Sequence, residues 1–203
     1  MRLGLYGGTF DPIHLGHLIL AEACRETCGL DQVWFVVAGA PPHKPGGRTD
    51  AGHRLEMARL AVAGHPAFSV SELETSRPGP HYSVETLEAV RRARPDDELF
   101  FLIGGDSLVD LPQWREPGRI LELATLVVAN RPGFDPPPFA PPLEGRPTRQ
   151  VEVPPIGIAS QDVRRRRAQG RSIRYQVPRA VEAYIDAHGL YPASPAPSEG
   201  KAG

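Results

Sequence analysis

Several features that identify large classes of protein are scarce or missing in this sequence of 203 residues. It has only two cysteines, Cys24 and Cys28, which excludes a disulfide-rich secreted domain and predicts reduced thiols. No apolar run is long enough to span a bilayer, and the start of the chain lacks the pattern of a secretory signal. The formal net charge of −1 gives no general attraction to nucleic acid or to a membrane surface. These absences predict a cytoplasmic protein.

The length and composition are typical of a single globular domain with a full hydrophobic core. Apolar residues make up 40% of the chain and charged residues 23%. We assign residues 1–191 to this domain, because no internal repeat divides them. Residues 192–203, rich in proline, alanine, serine and glycine, are predicted to be a disordered tail. Residues 132–147 contain seven prolines without periodicity and are predicted to be a loop.

The two commonest glycine-rich phosphate loops are absent, but a related arrangement opens the chain. Leu3–Tyr6 is an apolar run typical of a buried parallel strand, and Gly7–Gly8 follows, which predicts a sharp turn. A helix is predicted from Leu15, with His14 and His17 on the same side of its first turn. Free backbone N–H groups and the helix dipole both favour an anion there. This stretch therefore predicts a phosphate site.

Five further strands follow at spacings that predict a single-domain α/β fold with a doubly wound, mostly parallel sheet. The predicted strands are Gln32–Ala38, Phe68–Leu73, Glu98–Ile103, Thr125–Ala129 and Gln150–Val153. Helices are predicted to begin near Asp50, at Ser83, at Ser160 and at Pro178. Right-handed crossovers between parallel strands bring the loops that follow the strands to one edge of the sheet, where such sheets bind ligands.

Residues suited to nucleotide chemistry stand in those loops. Gly104 and Asp106 follow a strand, and an aspartate there can accept hydrogen bonds from ribose hydroxyls. Trp114 can stack on a flat heterocycle. Lys44 lies in the loop after the second strand, on the expected ligand edge. Arg54, in the next helix, is interpreted on its own as a solvated surface charge.

Residues 7–17 (Gly-Gly-Thr-Phe-Asp-Pro-Ile-His-Leu-Gly-His) resemble the signature of the nucleotidylyltransferase superfamily, which joins a nucleotide's α-phosphorus to a phosphate on a second substrate. A second segment, ending at Arg164, is similar to the superfamily motif that holds the triphosphate through hydroxyls, helix amides and an arginine. Ala159 and Gln161 replace its usual serine and threonine, whereas Ser160 and Arg164 remain. The resemblance implies a Rossmann-like fold.

Four other segments resemble the nicotinate-nucleotide adenylyltransferases within that superfamily. They are Pro41–Lys44, His81–Leu87, Gly104–Trp114 and Asn130–Gly133. The resemblance implies transfer of the AMP moiety of ATP to nicotinic acid mononucleotide, which gives nicotinic acid adenine dinucleotide and pyrophosphate in NAD biosynthesis. It covers residues 2–191.

The resemblance also assigns roles to individual residues. His14, His17 and Arg164 are the candidate catalytic residues, which stabilise negative charge on the phosphates without a covalent intermediate. The candidate ATP-binding residues are Gly7, Gly8, Thr9, Phe10, His17, Gly104, Asp106, Ser160 and Arg164. The candidate mononucleotide-binding residues are Lys44, Tyr82, Ser83, Thr86, Trp114 and Arg131. Mg²⁺ is expected with ATP, and no side chain is assigned as its ligand.

Other interpretations stay open from the sequence. The acceptor is alternatively the amide form of the mononucleotide or phosphopantetheine, although phosphopantetheine enzymes are shorter and lack the Thr86 and Trp114 constellation. Gln161 leaves open a non-catalytic nucleotide sensor. The arginines at 164–167 suggest a nucleic-acid binder, which the net charge disfavours, and Ser83 is alternatively a simple helix cap. The oligomeric state, a homo-oligomer included, is not determined by the sequence.

Overall fold

The computed structural model describes residues 1–39, 49–130 and 148–193. The strands are β1 (Arg2–Gly8), β2 (Gln32–Val37), β3 (Phe68–Ser71), β4 (Glu98–Gly104), β5 (Thr125–Asn130) and β6 (Thr148–Glu152). The α-helices are α1 (Leu15–Cys28), α2 (Ala51–Val62), α3 (Ser83–Ala93), α4 (Gly105–Asp110), α5 (Pro117–Leu123), α6 (Ser160–Ala168) and α7 (Arg179–Ala187). The predicted loop 132–147 and all but the first two residues of the predicted tail lie outside the described residues.

The six strands form one sheet in the order β3-β2-β1-β4-β5-β6, and every neighbouring pair is parallel. This order confirms the predicted doubly wound fold. The strand order reverses between β1 and β4: β2 and β3 lie on one side of β1, and the later strands lie on the other. The loops after β1 and β4 therefore lie next to each other at the carboxyl edge. A crevice at such a reversal is where open α/β sheets bind ligands.

Successive side chains along each strand point to opposite faces of the sheet, so a separate hydrophobic core forms on each face. Leu99, Phe101 and Ile103 of β4 contribute to one core, whereas Phe100 and Leu102 contribute to the other. The first core is completed by α3, α4 and α5, and the second by α1, α2, α6 and α7. Because both faces are covered, the central strands are almost continuously apolar, as expected of a parallel sheet.

The predicted elements are confirmed with small shifts at their ends. The clearest correction concerns Gly7–Gly8, which pairs with Val36 and Val37 as part of β1 rather than forming the turn. The turn comes in the following residues, up to His14. Tyr82, not Ser83, occupies the N-cap position of α3, and its side chain makes no capping hydrogen bond. The interpretation of Ser83 as the helix cap is therefore wrong. Pro178 caps α7 instead of occupying its first turn.

No helix among the described residues combines the length and the apolar character that a membrane crossing requires.

The interpretation of Arg54 as a surface charge is wrong, because its side chain is 98% buried. Its guanidinium donates to four carbonyl oxygens, which belong to Thr9 (2.9 Å), Ala38 (2.6 Å), Gly39 (3.2 Å) and Thr49 (3.0 Å). These carbonyls lie in irregular backbone after β1, after β2 and before α2. Arg54 therefore joins three loops at the carboxyl edge of the sheet. The apolar spacing around it predicts the helix but cannot reveal distant carbonyl partners.

Replacing Arg54 with methionine is expected to lower the free energy of unfolding by about 3 kcal/mol, because several buried carbonyls would lose their donor. The matched control is Arg59→Met on the same helix, where the half-exposed side chain pairs with Glu56 and Glu72. That control is expected to cost less than about 1 kcal/mol. Urea unfolding measures both values, and equal losses would contradict the role of Arg54.

Candidate active site

The loop between β1 and α1, residues 9–14, is held by side chains from distant parts of the chain. The Arg164 guanidinium donates to the carbonyl oxygen of Asp11 at 2.5 Å, and the Ser160 hydroxyl donates to that of Pro12 at 2.9 Å. With Arg54 on the Thr9 carbonyl, three loop carbonyls are directed into the protein. Their partial negative charge is thereby offset by these donors, two of which are cationic, which favours an anion nearby.

The Asp11 carboxylate is itself buried and binds the segment that follows α7. The Tyr191 hydroxyl donates to it at 2.7 Å, and the Thr49 backbone N–H donates to its other oxygen at 3.4 Å. Burial, followed by the Asp11 charge, raises the pKa of Tyr191. Sequence reasoning missed this contact, because 180 residues separate the two partners.

Gly8 and Phe10 fit each other at the start of the loop. A Cβ atom at Gly8 would lie 2.8 Å from the Phe10 ring, so only glycine allows that ring to fold back over the strand. Phe10 has φ 49° and a side chain that is 1% exposed, packed edge-on to Tyr6 and His17. The Phe10 ring therefore belongs mainly to the core and supports the position of His17.

His14 and His17 form a stacked pair with ring centroids 3.6 Å apart. The His14 backbone N–H donates to Nδ1 of His17 at 3.2 Å, which requires the hydrogen of a neutral His17 ring to lie on Nε2. Gly16 leaves room for the His14 ring, because a Cβ there would lie 3.1 Å from its Nδ1. The arrangement directs one fixed N–H donor of His17 toward any ligand at the carboxyl edge.

Both imidazoles are uncharged at neutral pH in this structure. Burial lowers the pKa of His14 from 6.5 to about 4. Burial, with the neighbouring His14 as the second cause, lowers the pKa of His17 well below its ordinary value. The pair is therefore a set of neutral hydrogen-bond donors and acceptors, rather than a standing positive charge.

Two cavities open at this edge and share three of the candidate residues, His17, Gly104 and Asp106. The larger, about 420 Å³, is also lined by the candidate residues Gly7, Gly8, Phe10, Tyr82, Ser83 and Trp114. The smaller, about 260 Å³, is also lined by His14, Gly16, Ile156, Ile158 and Asn130. The two cavities therefore meet at His17, which suits two substrates that react with each other there.

Trp114 and Tyr82 form aromatic walls of the larger cavity. The Trp114 ring is half-buried and packs edge-on to Phe101, and the Arg115 guanidinium lies 4.7 Å from the centre of the Tyr82 ring. The Thr86 hydroxyl lies behind this wall and donates to the Glu74 carboxylate at 2.8 Å. Thr86 thus positions Glu74, a residue of the cavity lining that sequence reasoning missed.

Two helices begin at these cavities without a side-chain cap. Tyr82 and Ser83, at the N-terminus of α3, line the larger cavity. Helix α6 begins after Ala159, which has no side-chain atom that could cap it, and the preceding Ile158 lines the smaller cavity. An uncapped helix N-terminus favours an anion through its free N–H groups.

The structure does not gather every candidate residue into a cavity. Thr9, Thr86, Ser160 and Arg164 lie behind the cavity walls, where their contacts support the motif loop or Glu74. Lys44 and Arg131 lie outside the described residues.

Within residues 1–39, 49–130 and 148–193, no cluster of three or more histidine, cysteine, aspartate or glutamate side chains is placed to hold a metal ion. Cys24 and Cys28 are free and buried, and burial raises the pKa of both thiols. Their surroundings make them part of the core.

Comparison with known proteins gives consistent results. A family model described as cytidylyltransferase-like matches residues 5–166. A relative from Thermus thermophilus, described as a probable nicotinate-nucleotide adenylyltransferase, is 53% identical over 194 residues, covering 94% of this chain and all of the relative. A relative from Thermomicrobium roseum with the same description is 54% identical over 196 residues, covering 94% and 91%.

Solved structures agree in fold. The Plasmodium falciparum nicotinic acid mononucleotide adenylyltransferase complexed with NaAD matches with a TM-score of 0.76 at 18% identity, covering 94% of this chain and 97% of that chain. At this identity the match supports the arrangement of strands and helices, and the chemistry has to be argued from the residues themselves.

The buried histidine pair predicts acid sensitivity of the empty protein. Because the folded protein lowers the pKa of His14 from 6.5 to about 4, its contribution to stability is present above pH 6.5 and is lost as the pH falls toward 4. The loss from His14 alone is expected to reach about 3 kcal/mol. Urea unfolding of the wild type and of His14→Asn at several pH values measures it. Parallel curves for the two proteins would contradict this expectation.

Proposed function

Because the chain belongs to the cytidylyltransferase-like family, and within it to the nicotinate-nucleotide adenylyltransferases, we propose that its two cavities bind nicotinic acid mononucleotide and ATP for adenylyl transfer. The observation that carries the assignment of sites is the meeting of the two cavities at His17. Adenylyl transfer requires the acceptor phosphate and the α-phosphate of ATP to touch, and a shared donor suits that point.

The larger cavity is the proposed mononucleotide site. Its half-buried Trp114 ring offers a stacking surface for the pyridine ring. The uncapped N-terminus of α3 supplies free amides at Tyr82 and Ser83, and such amides donate to a carboxylate. A carboxamide carries no charge to interact with the helix dipole, so this site favours the acid form of the mononucleotide.

The smaller cavity is the proposed nucleoside site of ATP. Asp106 at its mouth suits the ribose hydroxyls, and the uncapped N-terminus of α6 suits the β- and γ-phosphates. Ser160 and Arg164 act first by fixing the motif loop, through their contacts with the carbonyls of Pro12 and Asp11. The replacement of the usual serine by Ala159 leaves the amides of α6 available to phosphate oxygens.

The proposed reaction is an in-line displacement. An oxygen of the mononucleotide 5′-phosphate attacks the α-phosphorus of ATP, the bond from that phosphorus to the bridging oxygen breaks, and pyrophosphate leaves with the electron pair. His17 donates its Nε2 hydrogen to the α-phosphate, where negative charge is redistributed in the transition state. Because its ring is fixed by His14 and Phe10, this donor needs no reorganisation.

Mg²⁺ is proposed to arrive with ATP as part of the substrate. Magnesium bound to nucleotides keeps several waters and takes few protein ligands.

Pyrophosphate release from MgATP is the direct test, with nicotinic acid mononucleotide and nicotinamide mononucleotide compared as acceptors. We expect the acid to have a kcat/KM at least about fivefold higher than the amide, because the helix amides of α3 favour a carboxylate by about 1 kcal/mol or more. Comparable rates with the acid and the amide would support the reaction and contradict the proposed carboxylate site. Absence of release with both acceptors would reject the proposed reaction.

His17→Ala is expected to lower kcat about a hundredfold or more, because it removes a fixed donor to the transition state. His188→Ala is the control, since His188 is exposed and packs on Tyr184 away from both cavities. Steady-state pyrophosphate release measures both variants, and circular dichroism checks the fold. Near-normal turnover in His17→Ala would contradict its proposed role.

A further inference from the structure

Asn130 is the last residue of β5 and lines the smaller cavity with a side chain that is 94% buried. Neither Oδ1 nor Nδ2 of its amide has a hydrogen-bond partner among the described residues. An unsatisfied buried amide is costly, and native proteins seldom keep one without a reason. Asn130 begins one of the segments that resemble the nicotinate-nucleotide adenylyltransferases, but the apolar pattern of β5 assigns no role to its side chain.

Backbone pairing fixes the position of Asn130, so its side chain starts from a fixed point on the cavity wall. Asn130 pairs with Glu152 of β6, and its carbonyl accepts from the Val153 N–H at 2.8 Å. Since neither amide atom has a partner in the part of the chain that the structure describes, both the donor and the acceptor can bond to a molecule that enters the cavity.

The rest of the cavity lining indicates what that molecule is. Apart from Asn130, its polar side chains are His14, His17 and Asp106, and the other walls are glycine, proline or aliphatic residues such as Leu20 and Ile158. The histidines and Asp106 are already assigned to the phosphate and ribose, on the proposed function. Apolar walls suit the faces of a flat base, and Asn130 remains for its polar edge.

The order of the strands places Asn130 at the correct end of the site. His17 follows β1, Asp106 follows β4, and Asn130 ends β5, and these strands are successive neighbours in the sheet. Neighbouring strands lie about 4.8 Å apart, so β5 lies about 10 Å from β1. Phosphate, ribose and base therefore follow one another along the carboxyl edge.

We propose that the Asn130 side chain recognises the adenine base of ATP. Its carbonyl oxygen accepts from the exocyclic N6 amino group, while its NH₂ group donates to an adjacent ring nitrogen. A carboxamide matches this neighbouring donor and acceptor pair on adenine. Guanine carries an oxygen in place of the amino group, and unsubstituted purine carries only hydrogen, so each loses the bond to Oδ1. This inference rests on the proposed function only for the assignment of the phosphate and ribose ends.

The test is equilibrium dialysis of ATP, GTP and purine riboside triphosphate, each with Mg²⁺, against the wild type and Asn130→Leu. The wild type is expected to bind ATP about ten- to a hundredfold more tightly than the other two. In Asn130→Leu the ATP preference is expected to fall to about threefold or less, because leucine has a similar size but offers neither hydrogen bond. Equal binding of the three nucleotides by the wild type, or an unchanged preference in the variant, would overturn the proposal.

Stability separates recognition from a structural role. Asn130→Leu removes two polar atoms that have no hydrogen-bond partner among the described residues, so its thermal midpoint is expected to equal or exceed that of the wild type. A midpoint clearly below the wild type would show that the amide is needed by the fold and would overturn the proposal. Trp114→Phe is the control in the other cavity, where weaker mononucleotide binding with an unchanged ATP preference is expected.

Pyrophosphate release with nicotinic acid mononucleotide, measured on the same preparations, reports on the proposed function separately. A wild type that prefers ATP through Asn130 but releases no pyrophosphate would reject the reaction and retain the base site. A wild type that releases pyrophosphate equally from ATP and GTP would retain the reaction and reject the base site.

Discussion

The site depends on satisfying the backbone of a buried irregular loop. Residues between β1 and α1 cannot use the ladder of a sheet or the pattern of a helix, so their carbonyls need other donors. Arg54 serves Thr9, Arg164 serves Asp11 and Ser160 serves Pro12. Each contact also offsets the partial negative charge of a carbonyl beside the site. The same hydrogen bonds that make the loop stable therefore make its exposed side suitable for phosphate.

This arrangement gives Ser160 and Arg164 a supporting role at the loop, whereas the motif suggests direct contact with the triphosphate. In the structure they contact the loop rather than lining a cavity, and they join segments about 150 residues apart. Phosphate binding at the start of α6 would accordingly be transmitted to the loop that ends at His14 and leads into His17 on α1. Tyr191 adds a third long-range contact to the same loop, at the Asp11 carboxylate.

Local sequence patterns predict the fold, but they do not predict the long-range contacts that hold the site in place. Apolar runs and helix start signals predict the strands and helices, because those signals lie within a few residues of one another. The burial of Arg54 and the Asp11–Tyr191 contact depend on partners far along the chain, which periodicity does not encode. Asn130 lies in a strand with no polar pattern around it. The glycine pair was expected to turn, but parallel pairing to β2 keeps it extended.

The neutral histidine pair links nucleotide binding to protons. Both imidazoles have lowered pKa values because they are buried, and a bound phosphate would raise the pKa of His14 by stabilising its charged form. Binding of the nucleotide therefore takes up protons from solution. By reciprocity, nucleotide affinity rises as the pH falls toward the pKa values of the complex, and the heat of binding depends on the ionisation enthalpy of the buffer.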